Sequence, residues 1–191
     1  MADFLQAYNK TMSHEGGYSF DPNDAGGETY KGVSRRAHPN WFGWRVVDEA
    51  KKFKDFPNNL TKNKDLQDLI LEFYKDKFWD ILNLDHYSQE ISEELFDTCV
   101  NVGVFRAVTF LQSTINLLNR NGQKYDDIVI DGKFGPNTEK YFNLCLQTNT
   151  EKLILNVLNG YQIKHYITLM EKNPTQEIYI GWFNRVEITR S

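Results

Sequence analysis

The sequence predicts a mainly α-helical protein with one small β element near its N-terminus. Two observations lead there. Apolar residues recur at intervals of three and four over several long stretches, most strongly over residues 64–82 and 151–171. Turn-forming residues gather in one early segment, residues 18–33, which also holds the strand candidate Thr29 to Val33. Neither an internal repeat nor a low-complexity tract is present. With 191 residues, the chain suffices for one domain with a sizeable core, or a domain plus a small module.

The elements follow in order. Residues 3–14 carry Phe4, Leu5, Tyr8 and Met12 at helical spacing with Ala7 beside them, and Gly16-Gly17 is a helix stop. The stripe 4, 8, 12 continued by three residues reaches Glu15, whose side chain is expected to point toward the core. Partial burial and the negative end of the helix dipole both disfavour a carboxylate there, so the Glu15 pKa is expected to be raised, as a general acid requires. Residues 18–33 read as an irregular hairpin, with Asp21-Pro22-Asn23-Asp24 and Gly26-Gly27 as turn signals. Residues 35–43 form a loop with one helical turn. Residues 44–55 suit a short helix with Val46, Val47, Ala50 and Phe53 inward, and Phe56-Pro57-Asn58-Asn59 breaks it. One helix is expected over 64–82, then a turn over 83–88, and helices over 91–102 and 104–118 separated by Gly103. A polar loop over 119–135 contains Ile128-Val129-Ile130. Pro136 lies in the first turn of a helix running to about residue 147. The 151–171 helix carries Leu153, Ile154, Val157, Leu158, Tyr161, His165 and Leu169, and the aromatic tail 178–186 packs back on the body.

Composition narrows the function. Apolar residues are 40% and charged residues 25%, ordinary for a globular protein, and aromatics are high at 14%. A net charge of −4 argues against nucleic acid as the main partner. Cys99 and Cys145 are too far apart in sequence for a disulfide framework or a metal site and are expected to be buried free thiols. His14-Glu15 begins like a zinc-protease motif, but Tyr18 stands where a second His is required, so no metal and no cofactor are expected. No signal peptide is expected at the acidic Met1-Ala2-Asp3, and no segment reaches membrane-spanning length. The protein is therefore expected to be made in the cytoplasm and to reach any outer site by release or export.

Hydrolysis of a glycosidic bond needs a proton donor at the leaving oxygen and a second carboxylate or positioned water across the sugar. Glu15 is the donor candidate. Asp24, beside the double glycine, is preferred over Asp21 for the second role; both aspartates serve equally well as turn formers. Thr29 suits a water or a sugar hydroxyl. Tyr18 and Tyr30 suit stacking on sugar faces, or the core.

Glu15-Gly16-Gly17-Tyr18, then Asp21-Pro22 and Asp24, then Gly26 through Ser34, resemble the signature of glycoside hydrolase family 108, lysozyme-like muramidases that include phage endolysins and proteins associated with secretion. The pattern is Glu-Gly-Gly-Tyr followed by Asp-x-Gly-Gly-x-Thr. Lys31 stands where a Tyr is more usual, a change expected in the cleft lining. The resemblance implies a lysozyme-like helical fold with a small early β-hairpin and Glu15 as the catalytic residue. A looser likeness to phage-type lysozymes implies the Asp24 and Thr29 roles. Phe96-Asp97-Thr98-Cys99-Val100-Asn101-Val102-Gly103 resembles a family helix that faces the cleft, which implies a substrate contact at Asn101; the same residue suits a helix end before Gly103. Leu111-Gln112 and Ile130 through Thr138 resemble the accompanying peptidoglycan-binding module, although the Asp-Gly and Gly-Pro pairs are explained by a turn and a helix start alone. Gly181-Trp182-Phe183-Asn184-Arg185 resembles the closing motif. The implied organisation is a catalytic region over residues 1–90 and a helical peptidoglycan-binding-like region over 91–191, packed as one body. The implied reaction is cleavage of the β-1,4 bond between N-acetylmuramic acid and N-acetylglucosamine by a monomer that acts on glycan strands, with a holin or an export system as the route to the wall. A non-catalytic peptidoglycan binder or a secretion accessory protein is the alternative.

Overall fold

The computed structural model describes residues 1–12, 17–21 and 27–186. It is mainly helical with a small antiparallel sheet near the N-terminus. The chain divides into two compact units, Met1–Gln89 and Glu90–Ser191. No helix among the described residues is long and apolar enough to cross a membrane.

The first unit opens with α1 (Phe4–Met12), which buries Phe4, Ala7, Tyr8 and Thr11. Met12, on the stripe expected to face the core, is only half-buried, and Leu5 is exposed. Three short strands follow, β1 (Tyr18–Phe20), β2 (Glu28–Tyr30) and β3 (Val33–Ser34), antiparallel in sequential order. The single strand expected over residues 29–33 is thus two strands. Lys31 and Gly32 take φ values of 43° and 78° between the paired residues Tyr30 and Val33. Positive φ at both central positions marks the tight two-residue hairpin turn whose twist matches the flanking strands. Helix α3 fastens this turn. Gln67 donates to the Tyr30 hydroxyl (2.9 Å) and accepts from Lys31 Nζ (2.7 Å), while the Tyr74 hydroxyl donates to the Lys31 carbonyl (2.8 Å).

Helix α2 (Gly43–Ala50) ends five residues earlier than expected, and Phe53 is exposed rather than inward. α3 (Lys64–Tyr74) is capped by Asn63, whose side chain accepts from Leu66 N. The helix expected to continue to residue 82 changes at Lys75–Trp79, which form a π-turn, followed by a 3₁₀ turn over Asp80–Leu82. A π-turn carries one extra residue per turn and so rotates everything after it. An unbroken α-helix would bring Phe78 and Ile81 inward after Tyr74. The extra residue instead buries Trp79 completely and leaves Ile81 exposed, while Leu82, one of the apolar residues of the expected helix, is buried. Trp79 donates its indole N–H to Asp85 (2.8 Å) and meets Phe4 edge-on.

The second unit holds α4 (Gln89–Val102) from Glu90 onward, α5 (Val104–Leu118), α6 (Pro136–Thr148) and α7 (Glu151–Lys172), with a kinked 3₁₀ tail over Pro174–Arg185. α5 packs against both α6 and α7. Cys99 and Cys145 are free and buried. The buried face of α7 comprises Ile154, Leu158, Asn159, Gln162, Tyr166 and Met170, while Leu153 is exposed. The apolar stripe misplaced this face because two of its buried members are amides; Gln162 donates to the Tyr166 hydroxyl at 2.9 Å. In the tail, Trp182 stacks on Tyr179 and lies against Tyr166, whereas Ile178 and Ile180 are exposed.

The loop between α5 and α6 runs without regular structure past residue 125, and side chains of α5 satisfy its backbone. Asn116 bonds both the N–H and the carbonyl of Ile128, each at 2.8 Å. Gln112 Oε1 accepts from Asp131 N (3.0 Å) and Gly132 N (2.9 Å), and its Nε2 donates to Asp131 Oδ1 (2.8 Å) and Thr138 Oγ1 (3.0 Å). Asn119 donates to Asp127 (2.6 Å). Positions 112, 116 and 119 share one helix face. Gly132 is required twice over: its φ is 69°, and an added Cβ would meet the Phe105 ring at 2.5 Å. The Asp131-Gly132 and Gly135-Pro136 pairs therefore act as turn and helix start. Replacing Gln112 by Ala strands two backbone N–H groups and is expected to cost about 2–4 kcal/mol, read as a lowered denaturant midpoint with an unchanged slope.

Candidate active site

The residues singled out from sequence fall in different settings. Glu15 and Asp24 lie outside the described residues, so the site is built from what flanks them in the chain. Tyr18, in β1, pairs with Tyr30 in β2; Ser19 pairs with Thr29, and Thr29 with Ser34. Alternation along a strand sends successive side chains to opposite faces. Tyr18, Phe20, Glu28, Tyr30 and Val33 therefore share one face. Ser19, Thr29 and Ser34 form a row of hydroxyls across the other, with Thr29 at its centre and none of the three fully buried.

Tyr30, expected to stack on sugar faces, is a core residue at 1% exposure. Its hydroxyl is taken by Gln67, and burial pushes its pKa up. The neighbouring Tyr8 is pushed up to about 12, first by burial and then by Tyr30. Tyr18 is half-buried. Lys31, tucked against Gln67, has its pKa lowered by burial. Asn101 lies in the last turn of α4 and donates from Nδ2 to the Asp97 carbonyl (2.8 Å) and to Asp97 Oδ2 (2.7 Å). Its amide N–H groups are thereby engaged, which leaves its carbonyl oxygen as the end to offer a ligand. Arg185 of the closing motif approaches the other Asp97 oxygen at 3.7 Å.

The centre of the described site is a residue that the motif reading passed over. Glu28 is 9% exposed and meets three partners. The Tyr18 hydroxyl donates to Oε1 at 3.0 Å, Lys51 Nζ approaches the same oxygen at 2.6 Å, and Arg35 Nε lies 3.2 Å from Oε2. Asp48 completes the cluster, 2.8 Å from Arg35 and 3.2 Å from Lys51. Burial raises the Tyr18 pKa, and the bond to Glu28 raises it further. Burial opposes the charge on Lys51, but Glu28 and Asp48 outweigh it and raise the pKa. Asp48 is held below its ordinary range because Arg35 and Lys51 outweigh its own desolvation. A sequence signal for Glu28 existed: strand alternation puts it on the face of Tyr30, and once Tyr30 is core the acid beside it must be buried and matched by cations.

These features define a class, a lysozyme-like helical protein whose early sheet carries the polar groups, joined to a second helical unit. The chain belongs to the glycosyl hydrolase 108 family, whose model matches residues 8–103; the model described as a predicted peptidoglycan domain matches residues 106–187. The order is that expected from the motifs, and the protein is accordingly a peptidoglycan hydrolase. Among solved structures, that of Brucella abortus SagA is similar over 96% of this chain and 88% of its own, with a TM-score of 0.61 and 21% identity, which establishes likeness of fold. No curated protein matches the chain.

The raised pKa of Lys51 means that its contribution to stability is complete below its ordinary 10.5 and is lost as pH rises through the raised value. The lowered pKa of Asp48 means that its contribution is complete above 3.8 and is lost as pH falls through the lowered value. Lys51→Met is expected to destabilise by about 1–3 kcal/mol, between the limits for exposed and buried pairs. Melting curves across pH should show that deficit constant between 3.8 and 10.5 and shrinking outside.

Proposed function

We propose that the protein is an N-acetylmuramidase, cleaving the β-1,4 bond between N-acetylmuramic acid and N-acetylglucosamine in peptidoglycan glycan strands. Membership of the glycosyl hydrolase 108 family over a stretch that contains Glu15-Gly16-Gly17-Tyr18 carries this reading. Glu15 acts as general acid and protonates the leaving oxygen. Asp24 serves as the second carboxylate, and Thr29 holds a water or a sugar hydroxyl from the centre of the hydroxyl row. Tyr18 and Asn101 contact the glycan; Tyr30 supports the sheet from the core.

The region over residues 106–187 holds the wall while the first region cuts it, and the protein works as a monomer that reaches the wall through a holin or an export system. The predicted peptidoglycan domain alone would also suit a non-catalytic wall binder. Release of reducing ends from purified sacculi separates the two. Glu15→Gln is expected to lower that release by roughly 10²–10⁴-fold, the usual worth of a general acid, with wall binding and melting temperature unchanged. Full activity in Glu15→Gln removes the muramidase assignment, and wall binding by the native chain without any reducing ends selects the binder.

A further inference from the structure

We infer that Glu28 is a positioning residue for substrate binding, whose carboxylate locks the Tyr18 ring as a fixed platform for one sugar of the glycan strand. The inference rests on the reading of the site given above. The Asp-x-Gly-Gly-x-Thr pattern leaves position 28 open, so the motif itself assigns Glu28 no role.

Four observations carry it. The Tyr18 hydroxyl is held at 3.0 Å by Glu28 Oε1. The ring meets Phe56 in a T-shaped contact, with centroids 4.6 Å apart and planes at 74°. Lys51 Nζ lies 6.0 Å from the ring centroid, so the cation that anchors Glu28 also backs the aromatic it holds. The register of Tyr18 against Tyr30 fixes the backbone beneath the ring. Hydroxyl, ring and backbone are thus each tied down, while the residue stays partly exposed.

Charge balance alone does not call for the Tyr18 bond. Arg35 and Lys51 already balance Glu28, with Asp48 as their second acid. A neutral phenol adds nothing to that balance, so the effect of its bond falls on the ring. A ring held in its binding orientation spares the ordering cost of association. The aliphatic C–H face of a pyranose packs against such a surface, and the class of ligand is an N-acetylated glycan.

The test compares the native protein with Tyr18→Phe, Glu28→Met and the double variant, in two assays. The first measures kcat and KM for reducing-end release from purified glycan strands. The second measures equilibrium binding of a soluble N-acetylglucosamine oligomer to the same series built on Glu15→Gln. Each single variant is expected to raise KM and Kd about five- to tenfold with kcat within about twofold, the signature of lost uniform binding. The double variant is expected to be no worse than either single one, because Glu28 acts through the Tyr18 hydroxyl. A purely structural role would instead lower melting temperature and kcat together. Unchanged KM and Kd in Tyr18→Phe, additive effects, or no oligomer binding that depends on Tyr18 overturns the inference. Tyr18→Phe removes one oxygen and leaves every ion pair in place, so the test survives a misfolded Glu28→Met. If no form releases reducing ends, the muramidase reading fails while the binding series still decides the role of Glu28.

Discussion

A carboxylate on the inner face of a three-residue strand has to be met by opposite charge, and the way Glu28 is met organises the early part of the chain. Its cations come from two places: Arg35, just past β3, and Lys51, at the end of α2. Arg35 also donates its backbone N–H to the Glu28 carbonyl at 2.8 Å, so main chain and side chain close on the same residue. Tyr18 brings β1 to the cluster, and the Arg35 guanidinium lies over the Trp44 ring of α2. Sheet, post-sheet turn and helix are thereby joined at one buried acid. An isolated sheet of eight strand residues has too little apolar face to hold itself together. Here its inner face is completed by charge on one side and, through Gln67 and Tyr74, by α3 on the other.

Much of the fold was legible because it rests on periodicity. The helices over 104–118 and 136–147, the stop at Gly103 and the proline start at Pro136 follow from spacing and caps. What escaped was decided by single residues against the pattern. Lys31 accepts a positive φ beside Gly32, which splits one strand into two. The π-turn at Lys75–Trp79 exchanges Phe78 and Ile81 for Trp79 as the core residue. Asn159 and Gln162 sit on the buried face of α7, where a search for apolar residues does not look. At the candidate site, the motif identified Glu15, Asp24 and Thr29 by residue type and order. It missed Glu28 because the motif leaves position 28 open, and it left Tyr30 between ligand surface and core, where its strand position makes it core.

The boundary between the two halves depends on whether sequence or packing defines it. The matched family regions meet at residues 103–106, whereas the compact units meet between Gln89 and Glu90. α4 belongs to the first region by sequence and to the second unit by packing. The Arg185 approach to Asp97 lies across the sequence boundary but within one unit. Asp97 in turn holds Asn101, so the closing motif near the C-terminus bears on a residue of the hydrolase region through a single carboxylate.

The amide row of α5 has a consequence for how the 126–133 loop can change. Gln112 and Asn116 supply from a helix what a neighbouring strand would ordinarily supply, donors and acceptors for an extended backbone. The path of the loop is therefore written in the helix rather than in the loop. Exposed positions such as Val129 and Ile130 are free to drift in sequence while the backbone stays on its template. That separates the shape of this surface from its chemistry, so the outward side chains can change without refolding the segment that presents them.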